Sequence, residues 1–226
     1  SIIPNSSKTK AEILNFCQEL EEELPFIVEN GAAIYKMNLV NSDFPEKIIL
    51  SRDKEEILNV FFKKIPKELI SKCEFVLKLK KDEQLKIFGL SEKHLIYASE
   101  REFSVPLIFK GNKVEKNKLF RLAYNMGLTM QEGGRVINLS DKVSKSSAMK
   151  KVSRIFEKTE KQELKIIGVG DNFNDLDMLK SSDIACLVFN EKFKLDTLNI
   201  NNCLVSKKPA PEGWEEVVKM ALEKIQ

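Results

Sequence analysis

The chain has 226 residues, 42% of them hydrophobic, and its 37 basic and 34 acidic side chains leave a formal net charge of +3. That length supports one sizeable core, or a core with a smaller lobe, and the even mixing of charge gives no basic stripe of the kind a nucleic-acid partner requires. No apolar run reaches membrane-spanning length, and the opening SIIPNSSKTK has neither the basic flank nor the apolar centre of a signal peptide, so a membrane partner is set aside as well.

In chain order, SIIPNSS turns from apolar to polar like the end of a strand. Thr9-Lys10-Ala11-Glu12 is a capping-box pattern, and Ile13, Cys17, Leu20 and Leu24 follow at helical spacing. PFIVENGAAIY predicts a hairpin turning at Asn30-Gly31. Ile57, Val60, Phe61 and Ile65 predict a helix stopped by Pro66. A helical stretch around His94, a strand around Leu107–Phe109, a helix through Leu119, Leu122, Ala123 and Met126 ended by Gly127, and a turn and strand in EGGRVINL come next. Beyond residue 140 the pattern alternates: a helix on Ala148, Val152, Ile155 and Phe156, a strand over 164–169, a helix from Leu176, a strand over 184–189, and a last helix carrying Trp214, Val217, Val218, Ala221, Leu222 and Ile225. Such alternation implies βαβ units and a parallel sheet. The expected architecture is α/β: a doubly wound, mostly parallel core from residues 1–43 and 140–226, with 44–139 inserted as an α+β cap. Cys17, Cys73, Cys186 and Cys203 are scattered without a Cys-x-x-Cys pair, as expected of reduced thiols in a cytoplasmic protein.

The densest chemistry lies in GVGDNFND, residues 168–175. It places acids at the carboxyl end of a strand where a helix starts, the edge at which open α/β sheets bind ligands. Carboxylates there suit Mg²⁺, which takes one or two protein carboxylates, keeps several waters and accepts phosphate oxygens. Asp171 is the candidate direct ligand. Asp175, one helical turn on, returns towards the same ion or its water, and Asn174 offers an amide to a neighbouring side chain or to substrate. Gly168 and Gly170 let the backbone pass close to the site. A plain helix cap by Asp171, with Asn174 and Asp175 solvated, is the bland alternative.

GVGDNFNDLDML resembles the fourth motif of the haloacid dehalogenase superfamily of phosphatases. NSSKTKAEI, PFIVENGAAIY, EREFSVPLIF, GGRVINL and APEGW together resemble the mannosyl-3-phosphoglycerate phosphatase family, in that family's order and across almost the whole chain. The resemblance implies roles by position. Ser6 matches the hydroxyl that bonds the transferring phosphoryl group, with Ser7 and Lys8 beside it at a helix start that suits an anion. Lys145 matches the lysine that balances charge between phosphate and carboxylates, Asp171 the metal ligand, and Asp175 its supporting acid. The implied substrate is a phosphorylated sugar-glycerate, mannosyl or glucosyl, and the product a glycosylglycerate, a compatible solute. For its phosphate, carboxylate and hydroxyls the cap offers Arg101 and Arg135, whose planar forks suit oxyanions, with Gly133 and Gly134 before Arg135 and Glu100 or Glu102 as hydroxyl acceptors. A plain turn explains Gly133-Gly134-Arg135 equally well, and His94 receives no role.

The superfamily attacks phosphate with an aspartate in an Asp-x-Asp-Gly-Thr stretch at the end of its first strand, and these 226 residues contain no such stretch. The expectation is that the nucleophile belongs to an N-terminal segment of about 30 residues and that this chain alone has no turnover. The strand ending near Ser6 and the strand ending at Asp171 are then not expected to pair directly. The other readings are a different sugar phosphatase of the superfamily and a noncatalytic sugar-phosphate-binding relative.

Overall fold

A computed structural model describes residues 1–133, 135–160, 164–191, 200 and 202–225, with the side chain of Glu160 left aside. The chain forms two compact units, Ser1–Val143 and Ser144–Gln226.

In the first unit, Asn5 makes a single parallel bridge to Ile27, and Ser6 N–H donates to Ile27 O at 3.0 Å. Helix α1 (Lys10–Glu19) starts at the expected capping box: Thr9 Oγ1 accepts from Glu12 N–H at 3.1 Å, and the Glu12 carboxylate accepts from Thr9 N–H at 2.9 Å. Strands β1 (Phe26–Val28) and β2 (Ala33–Tyr35) form the predicted hairpin, and β3 (Lys47–Ile49) extends it. Ile13, Cys17, Phe26, Val28, Tyr35 and Phe103 close the core under α1.

The rest of this unit comprises α2 (Lys54–Lys64), α3 (Lys67–Ile70), β4 (Cys73–Phe75), α4 (Lys81–Phe88), α5 (Glu92–Ser99), β5 (Ser104–Phe109), α6 (Lys113–Asn125), β6 (Leu128–Glu132) and β7 (Ile137–Asp141). The four strands form an antiparallel sheet ordered β4-β5-β7-β6. Helices α2 and α6 cover one face, burying Ile57, Phe61, Leu107, Leu119 and Leu139 completely, each worth about 1.5–3 kcal/mol relative to exposure. Gly127, at φ +74°, reverses the chain after α6 where a side chain would be strained. These elements make an α+β arrangement, and they share the compact unit Ser1–Val143 with residues 1–43. β2 pairs with β3 across residue 43, Thr9 Oγ1 donates to Tyr97 O at 2.8 Å, and Glu29 binds residues 102–104.

The second unit contains α7 (Lys145–Glu160), β8 (Ile167–Gly170), α8 (Leu176–Lys180), β9 (Ile184–Leu187), β10 (Leu204–Val205) and α9 (Glu212–Glu223). Its sheet is parallel, ordered β10-β9-β8, and buried on both faces: Cys186, Val188 and Leu204 pack with Val217 and Ala221 of α9, whereas Ala185 and Leu187 pack with Leu179 of α8. That two-sided burial is the doubly wound arrangement. Among the described residues β8 pairs only with β9. Trp214, Leu222 and Ile225 are exposed, because Gly213, Val217 and Ala221, four apart, form the stripe of α9 that meets the sheet.

Candidate active site

The chain leaves β8 at Gly170, passes Asp171 and Asn172, and makes one 3-10 turn at Phe173–Asp175 before α8. The Asn172 carboxamide oxygen accepts from Phe173 N–H at 2.7 Å. Asp175 turns back under this loop. A Cβ on Gly170 would lie 2.5 Å from the Asp175 Cβ, so only glycine permits the approach. Asp175 is 5% exposed; its Oδ1 accepts from Lys145 Nζ at 2.6 Å, and its Oδ2 accepts from the backbone N–H groups of Asp171 and Asn172, both at 3.2 Å. Lys145, at the first turn of α7, is buried with it.

Asp171 is exposed. Asn190, just beyond β9, donates from Nδ2 to Asp171 O at 3.2 Å and to Asp171 Oδ2 at 3.3 Å. The residue before Asn190 is anchored in turn: Phe189 N–H donates to Ser206 Oγ at 2.8 Å, and Ser206 Oγ donates to Lys208 O at 2.7 Å. Gly213 admits that loop, since a Cβ there would lie 1.9 Å from Lys208 O. Asn190 and Ser206 escape sequence reasoning because nothing local marks them; Gly213 was visible only as part of APEGW. Asn174 is exposed on the same 3-10 turn.

In the first unit, Ser6 Oγ accepts from Lys8 N–H at 3.2 Å, Ser6 O accepts from Asn30 N–H at 2.9 Å, and Lys8 Nζ pairs with Glu12 at 3.2 Å. Arg101 is brought to this loop: its Nη1 donates to Ser104 Oγ at 2.9 Å and reaches Ser7 O at 3.5 Å. Beneath lies Glu29, 1% exposed, accepting from Ser104 Oγ at 2.6 Å and from Glu102 and Phe103 N–H at 2.9 and 3.2 Å. The sequence flags Glu29 only as part of its hairpin turn. Glu102 is engaged by the Tyr35 hydroxyl at 3.4 Å, and burial, then Glu102, raises the Tyr35 pKa. Arg135 stands apart from Arg101. Its guanidinium donates to Phe88 O at the C-terminus of α4, a favourable place for any cation. Gly133 N–H closes a turn on Val136 O at 2.8 Å, and Gly134 lies outside the described residues. Exposed His94 bonds Ser91 Oγ at 2.9 Å.

Thus Lys145 of α7 meets the Asp171–Asp175 loop in the second unit, and Ser6, Ser7, Lys8 and Arg101 gather in the first. Among the described residues no cluster of three or more His, Cys, Asp or Glu is arranged to hold a metal. Hard oxygen donors from two acids, one of them already bound by a lysine, fit an ion that takes only one or two carboxylates and draws its other ligands from water and substrate.

The sequence model of the haloacid dehalogenase-like hydrolases matches residues 5–199. The chain belongs to that family. Among this hydrolase's relatives is a glucosyl-3-phosphoglycerate/mannosyl-3-phosphoglycerate phosphatase of Persephonella marina, 31% identical over 98% of this chain and 84% of the relative. A mannosyl-3-phosphoglycerate phosphatase of Pyrococcus furiosus is 30% identical over 83% of this chain and 77% of its own. A solved sugar phosphatase of haloacid dehalogenase subclass IIB superposes with a TM-score of 0.61 at 17% identity, covering 100% of this chain and 85% of that one. A phosphatase of the superfamily from Bacteroides thetaiotaomicron does so with 0.66 at 13% identity, over 97% and 81%. These structures establish the hydrolase's fold, α/β with an α+β cap, and the relatives make it a sugar phosphatase. No helix among the described residues is long and apolar enough to cross a membrane.

Proposed function

We propose that this sugar phosphatase hydrolyses mannosyl- or glucosyl-3-phosphoglycerate to the glycosylglycerate and phosphate, with Mg²⁺ and through a phosphoaspartyl intermediate. The observation that carries the reading is the Lys145–Asp175–Asp171 loop, supported by relatives named for that substrate over nearly the whole chain. In this reading residues 1–43 and 140–226 make the core and 44–139 the cap. The nucleophilic aspartate would be carried by a strand added at the edge of β8 that is unpaired among the described residues. Cytoplasmic residence fits four free thiols, with burial pushing Cys73 and Cys186 up to about 11.

Asp171 would hold the ion directly, with Asp175 supporting it. When bound, Mg²⁺ supplies charge neutralisation for the phosphoryl oxygens. Asp175 holds the Asp171 backbone in place through two N–H groups and fixes the Lys145 ammonium, which offsets negative charge where phosphate and carboxylates meet. Asn190 orients the Asp171 carboxylate. Ser6 Oγ and the N–H groups at the start of α1 bind the phosphoryl oxygens.

Asp171→Asn keeps the shape and removes one charge. Phosphate release by the full-length enzyme should fall by about two orders of magnitude or more, while thermal unfolding is unchanged. Retained rate and metal dependence would remove Asp171 from the metal site. Equal or faster turnover of simple hexose phosphates would place the enzyme with another sugar substrate.

A further inference from the structure

The connection between β1 and β2 runs through residues 29–32, longer than the two-residue loop most hairpins use. Three of its residues lie in the left-handed region: Glu29 at φ +46°, Asn30 at +60° and Gly31 at +101°. Glycine adopts that conformation freely. Two residues with side chains adopting it in succession are strained, glutamate more than asparagine.

The surroundings hold the turn in this state. Gly31 and Ala32 N–H both donate to Val28 O, at 3.0 and 2.9 Å. The buried Glu29 carboxylate is fixed by its three bonds to residues 102–104. Asn30 is buried too, yet its Oδ1 is shielded from solvent and has no hydrogen-bond partner among the described residues. Bonding of that oxygen therefore does not account for an asparagine at this position. Backbone strain persists where the surrounding structure over-determines it, and it clusters at functional sites.

The strained backbone grips the Ser6–Ser7–Lys8 segment. Asn30 N–H donates to Ser6 O at 2.9 Å, and Glu29 N–H donates to Lys8 O at 3.0 Å. Lys8 N–H in turn donates to Ser6 Oγ at 3.2 Å, so the turn reaches the hydroxyl through Lys8 as well as through the Ser6 carbonyl. Relaxing φ at Glu29 or Asn30 into the ordinary region would rotate the peptide planes of the loop and withdraw at least one of these donors.

We propose that Asn30 is a positioning residue for Ser6. Its left-handed backbone, braced by the Glu29 carboxylate, sets where the Ser6 hydroxyl stands relative to the transferring phosphoryl group. Small misplacements of such a group are costly in rate. The proposal rests on the reading in which Ser6 Oγ binds that phosphoryl group.

The test compares Asn30→Ala, Asn30→Gly, Ser6→Ala and Ser6→Ala/Asn30→Ala in the full-length enzyme. Tm, amide hydrogen exchange at Ser6 and Lys8, and kcat and KM on mannosyl-3-phosphoglycerate and on a simple hexose phosphate are measured for each. Both Asn30 variants should lower Tm, alanine through strain at positive φ and glycine through a freer unfolded chain. Only Asn30→Ala should speed exchange at Ser6 and Lys8 and lower kcat, each by about tenfold, the worth of one misdirected hydrogen bond, with KM little changed. Asn30→Gly keeps the conformation and should rescue both. In the Ser6→Ala background Asn30→Ala should cost no further rate, because residues that act as a unit are not additive. Unaltered exchange in Asn30→Ala, an equal loss of rate in Asn30→Gly, additive losses in the double variant, or a Ser6→Ala enzyme as fast as its parent would each overturn the proposal. The expected pattern on the hexose phosphate alone would uphold it and refute the glycosyl-3-phosphoglycerate reading instead.

Discussion

Lys145–Asp175 and Arg52–Asp141 are both ion pairs at the carboxyl end of a strand, one in each unit, and they are made for different ends. Asp141 is the last residue of β7. It accepts from Arg52 Nε at 3.0 Å and Nη2 at 2.7 Å, and from the backbone N–H groups of Arg52 and Lys142 at 2.9 and 3.0 Å. The arginine fork fixes orientation as well as charge, and the pair is partly wet, so little desolvation opposes it. Asp175 meets instead a compact ammonium at 2.6 Å, with both side chains almost fully withdrawn from water. Burying two charges costs several kcal/mol per ion before their attraction is counted, and apolar side chains of similar volume would often be as stable or more so. The Arg52 pair joins the segment before α2 to the end of the cap sheet. The Lys145 pair keeps a positive charge and a negative charge at the edge where Asp171 is exposed, an arrangement that the proposed chemistry requires and stability does not.

Breaking the buried pair should therefore produce the largest effect. Lys145→Met leaves Asp175 with two backbone N–H groups and no cation. Denaturant unfolding should show a loss of about 3 kcal/mol or more, together with loss of phosphatase activity in the full-length enzyme. The double variant Lys145→Met/Asp175→Leu should recover most of that stability and none of the activity. If the double variant stays as unstable as the single one, the pair is structural and the contrast with Arg52–Asp141 disappears.

Gly213 tests how far the site extends beyond its own loop. A methyl group there meets the Lys208 carbonyl and Ser206 Oγ, 1.9 and 2.6 Å away, so the 206–208 loop must shift. Ser206 anchors Phe189, the neighbour of Asn190, and Asn190 bonds Asp171. Gly213→Ala should cost about 1–3 kcal/mol, as overpacking does. It should also raise the Mg²⁺ concentration that half-saturates the full-length enzyme, with a smaller change in rate at saturating metal. A stability loss without any change in metal requirement would confine Gly213 to packing.

These cases also show what the sequence could reveal. Elements with local signatures were legible: the Thr9–Glu12 capping box, the hairpin at Asn30-Gly31, Gly127 after α6, and the Asp171 loop behind an apolar strand. The short strands β3, β4, β6 and β10 were not, because two to five residues with mixed polarity carry no periodicity until a partner strand supplies their hydrogen bonds. The fourth-motif loop could be read because its residues are adjacent in sequence. The bonds of Asn190 to Asp171, Ser206 to Phe189 and Glu29 to Ser104 join residues 17 to 75 apart, and no spacing rule encodes such meetings. Arg135 shows a further limit, since a composition argument for oxyanion binding cannot foresee that a helix C-terminus also engages the guanidinium.

The smallest effect expected is the acid response of the Arg52–Asp141 pair. Burial alone would raise the Asp141 pKa, but the hydrogen bonds from the Arg52 side chain, its backbone N–H and the Lys142 N–H outweigh it and hold the carboxyl below its ordinary value of 3.8. Between the folded and the unfolded pKa the unfolded chain binds more protons, so stability there rises with pH. Asp141 accordingly contributes fully above the unfolded value, and its contribution disappears as pH falls through the depressed folded value. Partly exposed Glu115 and exposed Glu215, lowered chiefly by their bonds to Lys72 and Lys219, act in the same direction. Asp141→Asn should flatten the stability–pH curve below about pH 4 by a fraction of a kcal/mol, up to about 1 kcal/mol for a partly wet pair. Near neutral pH the same substitution should cost a similar amount, and Asp175→Asn several times more. Urea midpoints for the three proteins at pH 3 and pH 7 decide it. An Asp141→Asn curve parallel to the parent's across that window would mean the pair is already screened by solvent and orders its loops without stabilising them.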